Sequence, residues 1–254
     1  MTEELLKWLL VFVRVGAVLA VLPMFSAQNF PVQLRLGLGA LMAFLLAPLL
    51  PATTVDGLTQ WGVVRLVFLE AAAGLLLGFV CRMVFYALEM AGNLVATEMG
   101  LMLSSTYNPL TSTATPAPGI ILYWMALMLW LGLDLHHGML VGLQRSYALV
   151  PVGGLRPSEA LLADVITRSG GLMVLGLQIA APVMAVSFVI TIVFSVLGRA
   201  VPQMNVFSES FPVRTLAGLA VFGLTCTFMA QHIGNYLRRL PEDMLRVAQL
   251  MGAG

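Results

Sequence analysis

Two histidines stand side by side in Asp134-Leu135-His136-His137, and imidazole pairs are the first residues to weigh for metal chemistry. A helix that binds zinc through two histidines spaces them four apart, so that both face the ion. Neighbouring helical positions point about 100° apart. His232 is the remaining histidine, and no Cys- or Glu-rich motif accompanies the pair. A capped helix end or a hydrogen-bond network is therefore expected at 134–137, with no metal and no cofactor. Cys81 and Cys226 lie in separate apolar runs, which suits small core residues rather than a disulfide or a metal cluster. An intramembrane hydrolase would need a Ser/His or Asp/Asp pair within apolar segments. The chain offers no convincing one, and no enzymatic activity is expected.

Charge inside apolar segments is a second signal. Arg14, Arg65 and Glu70 interrupt stretches that are otherwise apolar. An ionised side chain at the centre of a lone spanning helix costs about 2.5–3.5 kcal/mol on insertion scales. These residues thus predict helices that face protein or water along one side. The same groups, with Glu98 and Asp134, would relay protons or bind solute if the chain were a secondary transporter or a proton-conducting membrane protein. Helix breaks near Pro23, Pro48 and Pro182 keep that alternative open.

The elements that must hold these residues follow from composition. Of 254 residues, 59% are hydrophobic and 10% charged, against about 25% charged in an ordinary soluble domain. Such a chain needs lipid or protein partners over much of its surface. The net charge of +1 and the scattered arginines give no phosphate track for nucleic acid. The start is acidic, and no Ala-x-Ala-like site follows the first apolar run, so that run is expected to stay in the mature protein.

Six segments approach the roughly 20 apolar residues of a bilayer span: Leu5 to Phe25, Leu34 to Leu50, Trp61 to about Leu88, Gly119 to about Leu133, Arg168 to Arg199, and Arg214 to Arg238. Alternating β patterns are absent, which disfavours a barrel. The expected class is all-α: one polytopic, membrane-type helical domain over 1–254, with about six long hydrophobic helices. With six crossings, Lys7, Arg145, Arg156, Arg168, Arg238, Arg239 and Arg246 share the side of the termini. Arg35, Arg82, Arg199 and Arg214 take the other, a weak lean towards cytoplasmic termini.

Two connections stand out. Ser104-Ser105-Thr106-Tyr107-Asn108-Pro109-Leu110-Thr111-Ser112-Thr113-Ala114-Thr115-Pro116-Ala117-Pro118 is polar, uncharged and rich in helix breakers. It suits either a linker between spans or a segment packed inside a polar pore. Gly198-Arg199-Ala200-Val201-Pro202-Gln203-Met204-Asn205-Val206-Phe207, followed by Phe211-Pro212, joins the two most hydrophobic segments. Arg199, Gln203 and Asn205 are expected to support an inter-helix turn at a subunit contact. The spacings Gly74/Gly78 and Gly138/Gly142 suit close helix approach. Asn-Phe-Pro-Val at 29–32 and Ser-Phe-Pro-Val at 210–213 read either as two helices that start alike, proline being favoured in a first turn, or as a trace of duplication.

The stretches VLPMFS and FPVQLRLGL at the first connection, EMGLMLSS at 98–105, DLHHGMLVGLQRSYALVPVGG at 134–154 and above all GRAVPQMNVFSESFPV at 198–213 resemble the FliR family of flagellar biosynthetic proteins. Injectisomes carry the homologous T-type subunit. The resemblance runs from about Leu5 to Arg239. It implies a single FliR-type subunit joined to several copies of FliP and FliQ, with FlhB and FlhA as further partners. That assembly is a helical export gate for unfolded flagellar proteins, built of helical hairpins. It implies residence in the bacterial inner membrane and the flagellum basal body, much of the assembly standing above the bilayer. It also implies that residues 104–118 form a loop plugging the pore, with Met99 and Met102 as neighbours of a methionine-rich constriction. Pro202, Phe207, Phe211 and Pro212 are expected, with Arg199, Gln203 and Asn205, to make up the inter-helix and subunit contact motif.

Overall fold

A computed structural model of the chain describes residues 2–26, 30–50, 59–102 and 116–253. Among them there are helices and turns and no strand. In chain order the helices are α1 (Thr2–Val21), α2 (Pro23–Ser26), α3 (Val32–Leu46) with a 3-10 turn at Ala47–Leu49, α4 (Gln60–Glu98), α5 (Ala117–Gly132), α6 (Leu135–Leu149), α7 (Glu159–Ala200), α8 (Val206–Leu237) and α9 (Leu240–Gly252).

Helix boundaries follow local chemistry. Pro31 sits just ahead of α3 with φ −58° and ψ 131°, an extended entry that proline's fixed φ favours. Helix α4 has no internal proline and runs for 39 residues. It stops in a Schellman turn, where Gly100 takes φ 75°, Leu101 N–H bonds to the Ala96 carbonyl at 2.9 Å and Gly100 N–H to Thr97 at 3.0 Å. Asp134, at φ 53°, breaks the chain between α5 and α6.

The second Phe-Pro-Val copy does not start a helix. Pro212 lies inside α8, which begins at Val206, so only the first copy fits the account of two helices starting alike. Pro182 likewise lies within an unbroken α7. Each proline removes one N–H from the helix ladder, yet neither ends its helix.

Contacts group the chain into two compact units. One holds Met1–Val84, Leu131–Ser169 and Arg238–Gly254; the other holds Phe85–Trp130 and Gly170–Leu237. Helices α4 and α7 contribute residues to both. In the first unit Leu10, Val15, Leu77, Leu143, Val150 and Met244 are buried. Gly74 packs directly on the Arg14 carbonyl and Ala17 of α1, and Gly78 packs on Val18 and Val21. Gly138 and Gly142 of α6 meet Pro241 and Met244 of α9. Both small-residue spacings thus sit where helices approach closely. In the second unit Val95, Leu122, Ala126, Leu175 and Ile233 form the core, and Gly92 of α4 lies on Gly119 of α5.

Among the described residues, four helices are long and apolar enough to cross a membrane: Val32–Leu49, Gln60–Glu98, Glu159–Ala200 and Val206–Gly252. The broken pair α5 and α6 makes a fifth if counted as one span. The figure of about six is approximate, because α1 carries Glu3, Glu4, Lys7 and Arg14 in twenty residues. The assignment of arginines to two sides presumed six crossings and loses its basis with four or five. Much apolar surface faces outward, including Phe44 at 68%, Phe188 at 66% and Leu224 at 79% exposure.

The Gly74 contact yields a test. Gly74→Ala places a methyl group against α1 backbone that cannot move aside cheaply, and should cost about 1–3 kcal/mol. Gly132→Ala, which meets nothing within 4 Å, serves as control. A lowered midpoint of thermal unfolding in detergent for the first substitution alone is the expected result.

Candidate functional site

The charges singled out in the apolar segments divide into two kinds. Arg65 is exposed on α4. Arg14 and Glu70 are buried, at 0% and 1% exposure, and they face each other. Arg14 Nε donates to Glu70 Oε2 at 2.7 Å and Nη2 donates to Oε1 at 2.9 Å, a bidentate fork. Arg14 Nη1 donates to the Val150 carbonyl at 2.9 Å. The Gly153 N–H donates to Glu70 Oε1 at 2.8 Å. The guanidinium lies 4.2 Å from the centre of the Tyr147 ring, whose hydroxyl donates to the Val11 carbonyl at 3.3 Å. Four parts of the first unit meet here: α1, α4, the end of α6 and the connection that follows it. Gly153, at φ 74° and against the Leu66 side chain, holds a backbone conformation that favours glycine.

A second network, unseen in the sequence reading, closes the first unit. Arg168 donates to Asp164 at 2.5 Å and to Asp243 of α9 at 2.6 Å, while Arg246 reaches Asp164 at 3.2 Å. The i, i+4 spacing of Asp164 and Arg168 was the available signal. The α9 partners were not predictable from spacing.

In the second unit, polar contacts converge on the end of α4. Ser187 of α7 donates to the Glu98 carboxylate at 2.5 Å. Thr215 of α8 donates to the Met99 carbonyl at 2.7 Å. Phe211 packs on Gly100, and Gly218 leaves space that the Met99 side chain fills. Met99 is fully buried and Met102 is 38% exposed, so Met102 is the one of the two whose side chain reaches the surface. The segment 104–115 lies outside the described residues. Pro116 precedes α5, while Ala117 and Pro118 open it.

The 198–213 motif forms the α7–α8 turn. Arg199 occupies the last turn of α7, and Pro202, Gln203 and Asn205 are exposed. Asn205 caps α8: its Oδ1 accepts from Ser208 N–H at 3.3 Å. Gly198 lies against Val206, which closes the turn tightly. Phe207 and Phe211 meet edge to face at 4.6 Å between ring centres. Sequence reasoning placed polar support here without recognising the cap, although Asn three residues before Ser208 is a standard start signal.

An open groove of about 530 Å³ on the second unit is lined by Gln178, Pro182, Thr225, Phe228, His232 and Asn235 among others. His232 pairs with Gln178 at 3.0 Å. Among the described residues, the groove is lined by no carboxylate, lysine or arginine, and His232 is its one titratable side chain.

Buried ion pairs that lose one partner leave an uncompensated charge, at a cost of about 3–5 kcal/mol. Arg14→Met and Glu70→Leu should each abolish stable folding. The double substitution should recover part of the loss, since no charge is then stranded, although Val150 and Gly153 still lose partners. Folded yield and melting temperature of the three variants in detergent check this. Asn205→Ala should cost about 1 kcal/mol through the lost cap, read as a modestly lower melting temperature.

Residues 5–240 match the family described as bacterial export proteins, family 1. The chain is 28% identical over 252 residues to the flagellar biosynthetic protein FliR of Bacillus subtilis, covering 96% of this chain and 95% of that protein. It is 30% identical over 223 residues to the protein of the same name from Caulobacter vibrioides, covering 87% and 88%. It is 27% identical over 236 residues to the Yop proteins translocation protein T of Yersinia pestis, covering 91% and 89%.

Proposed function

The chain belongs to the bacterial export proteins, family 1, and on that premise we propose that it is one subunit of a gate through which unfolded flagellar proteins are exported. It is a helical membrane protein and a component of the type III export machinery that serves flagellum biosynthesis. The finer reading is that it assembles with FliP and FliQ, with FlhB and FlhA nearby, in the bacterial inner membrane at the flagellum basal body. The carrying observation is the match along nearly the whole chain to proteins named for flagellar biosynthesis and translocation.

Physical features support the reading. Apolar side chains cover the outward faces of α3, α7 and α8, and exposed apolar area of this extent calls for lipid or protein cover. Helices α4 and α7 have 39 and 42 residues. At 1.5 Å per residue each is about 60 Å long, roughly twice the hydrocarbon core of a bilayer. Part of each helix must therefore find its cover in other protein or in the interfacial zone. The work proposed is steric, to seal and then to admit a chain, and calls for no covalent chemistry. A transporter gains little support: Arg14 and Glu70 are engaged with one another, and Glu98 is held by Ser187.

Within this reading residues 104–118 serve as the plug, and the end of α4 is its stem. Glu98, Met99 and Gly100 are held by α7 and α8, which gives a loop starting there a fixed origin. Shortening the loop by several residues between Thr106 and Thr115 should leave assembly intact and make cells permeable to ions or small solutes. A simple linker predicts no leak. Unchanged permeability with the complex still formed would remove the plug assignment. Coexpression with FliP and FliQ should raise the yield of monodisperse protein several-fold over the chain expressed alone. A stable monomer in mild detergent without partners would count against the gate reading.

A further inference from the structure

The break between α5 and α6 gathers three donor groups that helical spacing had seemed to keep apart. Asp134, His136 and His137 each offer one ligand atom, and these atoms all lie within 4.8 Å of one another. Here the chain turns at Asp134, in the left-handed region at φ 53°, and the histidines occupy the first turn of α6. The Asp134 carbonyl already accepts from His137 N–H at 3.0 Å, which fixes that residue's backbone against the turn. The two imidazole rings lie 4.1 Å apart between centres, tilted by 39°, so they stand side by side.

None of the three is satisfied by the others. His137 Nδ1 is 3.8 Å from Asp134 Oδ1, beyond hydrogen-bond range. Among the described residues, His136 Nδ1 is one of three buried side-chain polar atoms with no partner. A buried polar atom left unpaired costs free energy, and a ligand that accepts its lone pair would remove that cost. Two imidazoles and one carboxylate suit a borderline divalent ion of the first transition row and are a poor set for magnesium or calcium, which prefer oxygen alone.

We propose that Asp134, His136 and His137 form a site for a divalent transition-metal ion of the zinc type. The donor gap is small. Zinc–nitrogen bonds of about 2.0–2.1 Å place tetrahedral ligands about 3.3 Å apart, and Asp134 and His137 are exposed enough, at 78% and 69%, to rotate inward. Three protein ligands leave a fourth position for water or for a group from another chain. The bound ion ties the left-handed residue to the first turn of α6 and neutralises the one carboxylate at the break. The inference is independent of the export reading.

The test uses the full chain, purified in detergent with an affinity tag free of histidine and stripped with a chelator. Zinc chloride is titrated calorimetrically, and cobalt(II) serves as a spectroscopic probe of nitrogen coordination. One zinc per chain at micromolar affinity is expected. Asp134→Asn, which tolerates the left-handed backbone, and His137→Gln should each weaken binding at least tenfold, with melting temperatures of the metal-free proteins unchanged. His136→Gln should do the same. Equal stoichiometry and affinity in wild type and variants would overturn the site, as would binding seen only at millimolar zinc.

Discussion

Desolvation of Arg14 and Glu70 is the constraint around which the first unit is arranged. Two charges taken out of water cost several kcal/mol each, and their attraction offsets this only with good geometry and with their remaining hydrogen-bonding capacity met. Each requirement is visible. The fork is bidentate, the spare Arg14 nitrogen goes to a carbonyl after α6, and the spare capacity of Glu70 goes to Gly153 N–H. Satisfying the pair thus fixes the path of residues 150–153. The close approach of α1 to α4, allowed by Gly74 and Gly78, brings the two charges into reach.

From that point the exterior follows. With few charges in the long helices, among them the exposed Arg65 and Glu89 of α4, their outward faces are largely apolar. Helix α9 is the exception, with Leu240, Met244, Val247, Ala248 and Met251 buried and Asp243 and Arg246 directed to the ion cluster with Asp164 and Arg168. A short amphipathic helix closes the first unit. Helices such as α3, with only Gly39 and Ala43 buried, depend on surroundings the chain does not itself provide.

Class and family were legible in the sequence because they rest on composition and on motifs spread along the chain. Apolar runs located α4, α5, α7 and α8 to within ten residues or so, and the Gly74/Gly78 and Gly138/Gly142 spacings marked true close approaches. The misses share a cause: each depends on what lies across a contact. Arg14 and Glu70 were read as charges needing cover, yet nothing local says that residues 56 apart in sequence cover each other. Hydropathy gave a boundary near Leu88 where α4 continues to Glu98, since Asn93, Thr97 and Glu98 look like an exit until Ser187 and the Schellman turn are seen. Proline misled at Pro182 and Pro212, where the surrounding helix outweighs one lost hydrogen bond.

The end of α4 is held by contacts from two other helices. Thr215 holds the Met99 carbonyl, Ser187 holds Glu98, and Gly100 supplies the positive φ that stops the helix. A bulkier residue at Gly218 would displace Met99. These contacts come from three helices of one unit and fix where the chain leaves α4, without touching residues 104–115. A steric element depends on its point of attachment more than on its own composition. On the proposed plug reading, a polar, uncharged segment would follow a stem with closely packed neighbours.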